Sequence, residues 1–166
     1  MHILDGDATV DDYARYLQSM LGFHAPLEAI FAGDAALEAA GFAAASRRKS
    51  HLLIQDLHSV APCAAAPPHC SALPATTMLT HRIGVAYVIE GSTLGGKFIL
   101  ARLPPALASL RGTATAFLEG YGAETGARWR SFGALVDRVI DTAAAEAEVI
   151  AGARDTFARL ITWLAR

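Results

Sequence analysis

Residues 86–99, AYVIEGSTLGGKFI, restrict the fold more than any other stretch. An apolar run passes into Gly91, Ser92, Thr93, Leu94, Gly95 and Gly96, then turns apolar again without a proline or a charged loop. A glycine inside a helix costs about 1 kcal/mol relative to alanine, so three together need an offset. Gly91 and Gly95 are four apart and share one helix face. One offset is close packing, with a second helix backbone approaching that face. Another is a flat ligand pressed against bare backbone. A phosphate loop is a third, but neither a Gly-Lys-Ser/Thr ending nor a preceding strand accompanies these glycines.

The rest of the chain reads as helical. Its 166 residues fit one domain, 1–166, and can bury one core. With 53% hydrophobic and 18% charged residues, it is too apolar to be disordered. Thr9 with Asp12 three residues on reads as a capping box. Apolar residues then recur at helical spacing: Tyr13, Tyr16, Leu17, Met20, Leu21, Leu27, Ile30 and Phe31, up to a stop at Gly33. Pro26 predicts a kink near Gly22–Phe23. A second helix covers SRRKSHLLIQDLHSV, capped by Ser46, with Leu52, Leu53, Ile54 and Leu57 inward. Four prolines and small residues make APCAAAPPHCSALP a loop. A third helix starts near Thr76 or Thr77 and runs into the glycine motif. The final helix places Ile150, Phe157, Leu160, Ile161 and Leu164 on one side. No strand alternation or internal repeat is present. The expected fold is all-α, a single multi-helical bundle of about seven helices.

Composition narrows the partners. A net charge of −2 without a basic block argues against nucleic acid. The N-terminal MHILDGDATVDDY has no apolar signal core, and no apolar run reaches about 18 residues. No membrane association and a cytoplasmic location are therefore expected. Cys63 and Cys70, with His58 and His69 nearby, match no zinc spacing; two free thiols and no metal site are expected. Arg47, Arg48 and Lys49 read as a solvated turn ahead of a helix.

AYVIEGSTLGGK closely resembles the distal-helix motif of the haem oxygenases, in the bacterial branch associated with bacteriophytochromes. DYARYLQSMLGFHAPLEA, RRKSHLLIQDL, FLEGYGAETGARWRSF and DTFARLITWL resemble other helices of that family, in the same order. The resemblance implies haem, as substrate and cofactor, held between a proximal helix that supplies an axial histidine and a kinked distal helix. It implies an oxidoreductase that uses O2 and an external reductant, a ferredoxin or flavoprotein, to form biliverdin, CO and ferrous iron. A bacteriophytochrome receiving biliverdin is an implied partner.

By match to the motif, Gly91, Ser92, Gly95 and Gly96 line the distal face. Ser92 stands where many members carry an aspartate; it is an uncharged, weaker acceptor, so the distal water network differs. His24 stands where the family usually carries an aromatic. It either reaches that network or is a buried histidine satisfied by a backbone carbonyl. Arg128 and Arg130 point to different faces, so at most one reaches a haem propionate; Lys97 serves the same purpose or snorkels. The family's proximal histidine belongs to a helix ahead of the segment matching ATVDDY, so neither is expected within this sequence, and His2 is not a positional match. Three explanations stand: a start further upstream, a shortened non-catalytic haem or tetrapyrrole binder or interaction domain, or a displaced ligand such as His2 or His24. The surface left by such a helix favours a homodimer. A thiaminase-like enzyme on a similar scaffold would need a catalytic cysteine or acid cluster in the bundle, and Cys63 and Cys70 sit in a loop.

Overall fold

The structure, a computed structural model, describes residues 3–166; His2 lies outside the described residues. Seven α-helices and three short 3-10 turns make up the fold, with no strand among the described residues. Helix α1 spans Val10–Phe31 and opens on the expected capping box. Asp12 N–H donates to the Thr9 hydroxyl at 3.2 Å, and Thr9 N–H donates to the Asp12 carboxylate at 2.9 Å.

Pro26 sits inside α1 without ending it. Its missing N–H frees the Gly22 carbonyl four residues earlier, and Cys70 N–H donates to that carbonyl at 2.8 Å. The predicted interruption is thus a docking point for the proline-rich loop. A Cβ on Gly22 would lie 2.4 Å from the Pro68 carbonyl oxygen, so glycine is required there.

A short helix that the sequence reading missed, α2 (Ala35–Ala40), is capped by Asp34 and closed by Gly41 at φ +95°. Helix α3 runs Ser50–Val60, and Ser46 belongs to a preceding 3-10 turn, Ala44–Arg47. The expectation that Ile54 faces inward is corrected: it is 56% exposed. The buried face of α3 is Ser50, Leu53, Asp56 and Leu57, because Asp56 turns inward to accept from Ala116 N–H and Phe117 N–H at 2.9 and 2.8 Å. Those two donors open α5 (Ala116–Glu119).

Helix α4 (Leu79–Arg102) is the central element; α6 (Thr125–Val139) and α7 (Ala143–Leu164) pack around it. By length and composition α4 would also suit a membrane span, but half of that stretch is buried inside the bundle. The α4–α7 contact is the most extensive in the molecule. A Cβ on Gly84 would stand 2.3 Å from the Val149 carbonyl oxygen, and one on Gly152 2.6 Å from that of His81. This seam corrects the predicted face of α7. Val149, Gly152 and Thr156 are buried, whereas Ile150, Phe157 and Ile161 are exposed, because only the small-residue side allows the two backbones to approach.

Two hydrophobic clusters result. One joins Phe23, Leu27, Phe42, Ile83, Ile89 and Phe132; the other joins Tyr13, Leu17, Leu53, Leu107, Phe117 and Leu118.

Candidate functional site

An apolar groove of about 560 Å³ opens between α1, α4 and α7. Tyr16 and Met20 line it from α1, Phe157, Leu160 and Leu164 from α7, and Trp129 from α6. Gly91, Ser92, Gly95 and Gly96 line it from α4, together with Tyr87 and Leu94. Tyr87, Leu94 and Phe157 are each more than two-fifths exposed, which is unusual for large apolar side chains clustered around one opening.

The three glycines have different reasons to be glycine. A Cβ on Gly96 would lie 2.7 Å from the Leu118 carbonyl oxygen, so close packing accounts for that position. A Cβ on Gly95 would meet nothing within 4 Å, and one on Gly91 only the Trp129 ring at 3.9 Å. No backbone approaches either of these two. The helix-packing reading therefore does not hold for them, and their bare backbone faces the groove. Beside them, Ser92 Oγ donates to the Ile89 carbonyl at 2.6 Å and Thr93 Oγ1 to that of Glu90 at 2.7 Å. Such back-bonding commonly bends a helix.

A buried polar layer lies behind this helix. The Glu90 carboxylate is paired with Arg47 Nη1 at 2.5 Å and Lys49 Nζ at 2.7 Å, and accepts from the Tyr121 hydroxyl at 2.9 Å. The solvated-turn expectation is therefore corrected for Arg47 and Lys49, both of which are buried. A carboxylate taken into an apolar interior must be paired, and Glu90 recruits both cations. Burial pushes the Lys49 ammonium down from its ordinary range, opposed by Glu90. The signal was in the sequence: Glu90 is the one acid inside the apolar span of α4.

Glu28 accepts from Lys49 N–H at 2.7 Å, Ser50 N–H at 3.1 Å and Ser50 Oγ at 2.6 Å, so a carboxylate caps the α3 N-terminus. Burial works against its ionisation, but the adjacent His24, the Ser50 hydroxyl and the Lys49 N–H hold it at about 2. His24 is buried and does not line the groove. Its ring stands edge-on to Phe117 at 5.4 Å, its Nδ1 is 3.9 Å from Glu28, and that nitrogen has no hydrogen-bond partner among the described residues. Desolvation pushes its pKa down, which favours neutral imidazole.

Of the candidate propionate partners Lys97, Arg128 and Arg130, the first two have contacts of their own outside the groove lining. Lys97 Nζ donates to the Gly122 carbonyl at 2.8 Å. Arg128 donates to Glu124 at 3.1 Å and to the Ser46 carbonyl at 2.9 Å, with its guanidinium over the Tyr121 ring. Arg130 is exposed on α6. None of the three lines the groove. Cys63 and Cys70 are free thiols, and no cluster able to hold a metal ion occurs among the described residues.

The family described as Heme oxygenase matches residues 1–166. The chain is also 34% identical over 167 residues to a protein of Xanthomonas campestris pv. campestris (strain 8004) named "Heme oxygenase", an alignment covering 98% of this chain and 92% of the relative. No solved structure matches it. With a match along its whole length, on an all-α bundle whose apolar groove is floored by glycine, the chain belongs to the heme oxygenase family.

Proposed function

We propose that the groove binds haem and that the chain is a haem oxygenase, cleaving haem to biliverdin, CO and ferrous iron with O2 and electrons from a ferredoxin or flavoprotein. The observation that carries this reading is the open space over Gly95, which no protein atom fills, beside Gly91, whose only neighbour is the Trp129 ring. The residues present fit a flat apolar macrocycle: bare backbone on one face, with Tyr87, Trp129 and Phe157 as walls. When bound, haem supplies the redox chemistry; the chain orients it and governs water and protons. Apolar walls keep bulk water out. Ser92 already donates its proton to Ile89, so its oxygen remains an acceptor at the groove wall. The Glu90 ion pairs hold the helix that carries these groups.

No histidine lines the groove among the described residues. His2, which lies outside the described residues, is the candidate that would hold bound haem through its imidazole, since His24 does not line the groove. A bacteriophytochrome accepting biliverdin is a proposed partner by resemblance of the branch.

The test is a haem titration of the chain, then ascorbate under air, followed by absorption. A stoichiometric Soret band that decays to biliverdin supports the reading, and Gly95→Leu should abolish the band by filling the groove. Loss of the band in His2→Ala would name the ligand. A stable band without decay would make the chain a non-catalytic binder. No band here or in a version extended upstream of Met1 would overturn haem binding.

A further inference from the structure

Helix α1 faces two cavities. Tyr16 and Met20 line the groove, whereas Leu21, Ala25, Ala29 and Ala32 line a separate pocket of about 570 Å³ beneath the proline-rich loop. We propose that this pocket between α1, α3 and the loop is a second binding site, for a small apolar monocarboxylate whose carboxylate pairs with Arg48.

The pocket is of ligand size. Its walls are alanines and prolines, whose short side chains leave the space empty. Ile54 and Leu57 close the α3 side, and this site accounts for the exposure of Ile54 noted above. The roof, Pro62 and Ala64–Pro67, is held in place by the Cys70-to-Gly22 hydrogen bond and the Pro68 contact with Gly22. The pocket is thus preformed.

One end is polar. Glu28 and Ser50 are there, but both are already spent on each other and on the α3 N-terminus. Arg48 is only partly engaged. Its Nε pairs with Glu28 Oε2 at 3.6 Å, an ion pair too long for a hydrogen bond, and its side chain makes no hydrogen bond among the described residues. Its side chain is 59% exposed. The free guanidinium edge suits a planar carboxylate through two parallel bonds. Because Glu28 already shares this guanidinium, the pocket accommodates one further negative charge at most, not a dianion. His58 and His69 also line the pocket and make no hydrogen bond among the described residues, so they offer ring nitrogens to a further polar atom of the ligand.

The probes are octanoate, 1-naphthoate and indole-3-acetate, titrated calorimetrically into the chain, with octan-1-ol as the uncharged control. The expected result is saturable one-to-one binding of at least one acid, with amide shifts at Ala25, Ala29 and Ala64–Ala66 by nuclear magnetic resonance. Arg48→Gln should weaken it about tenfold or more, the scale of a lost charge-assisted pair. Arg48 is exposed, so this variant should fold. Ala65→Trp, in the loop roof, should block binding while leaving haem titration unchanged. Failure of all three acids to bind, equal binding by octan-1-ol, no effect of Arg48→Gln, or shifts at Gly91 and Gly95 instead would each overturn the proposal. A failed haem titration would not, because the two sites lie on different faces of α1.

Discussion

Adjacent glycines separate two kinds of constraint. Gly96 is glycine because of Leu118, and Gly95 is glycine with no protein neighbour to require it. Gly96→Ala should therefore destabilise the chain by about 1–3 kcal/mol, as overpacking does. Gly95→Ala should leave stability unchanged or raise it by up to about 1 kcal/mol, since alanine is the better helix former. Urea unfolding of the two variants distinguishes them. Glu28 offers a test with a definite sign. Its folded value of about 2 lies below its ordinary 4.5, so its contribution is complete above pH 4.5 and is lost as pH falls towards 2. Melting temperatures of the native chain and Glu28→Gln should differ most above that window and converge within it.

Among the helices, the α4–α7 seam sets the architecture. Gly84 and Gly152 each meet backbone of the opposite helix, which cannot rotate away as a side chain can. Gly84→Ala or Gly152→Ala should cost about 3 kcal/mol or more in denaturant unfolding. The double variant should cost less than the sum, because separating the helices once relieves both clashes. The same seam explains why the apolar periodicity of α7 misled. Periodicity identified a helix but could not choose between a stripe of large residues and a stripe of small ones. The requirement for close approach chose the small one and left Phe157 to face the groove.

At the scale of the molecule, the buried polar layer bridges the two hydrophobic clusters. Arg47 lies over the Phe42 and Phe132 rings of one, and His24 meets Phe117 of the other. Removing Glu90 alone leaves two buried cations uncompensated. Glu90→Ala should cost about 3–5 kcal/mol. Replacing Arg47, Lys49 and Glu90 together by methionine and leucine should recover most of that loss, because the desolvation penalty goes with the charges. Calorimetry of the native chain should show a single transition if the layer couples the clusters as the geometry indicates.

The sequence alone determined what depends on neighbours within a turn or two. The capping box at Thr9, the glycine stop at Gly33, the proline-rich loop and the helical periods follow from local hydrogen bonding and side-chain spacing, and so does the anomaly of the 91–96 motif. Tertiary structure decided what depends on partners far along the chain. Glu90 meets Lys49 and Arg47 across 41 and 43 residues, so nothing local marked those cations as buried. Packing against Leu118, 22 positions after Gly96 by sequence number, separated that glycine from Gly91 and Gly95. Which glycine serves the fold and which faces the groove is a question of what stands opposite each Cα, and only the folded chain brings those atoms together.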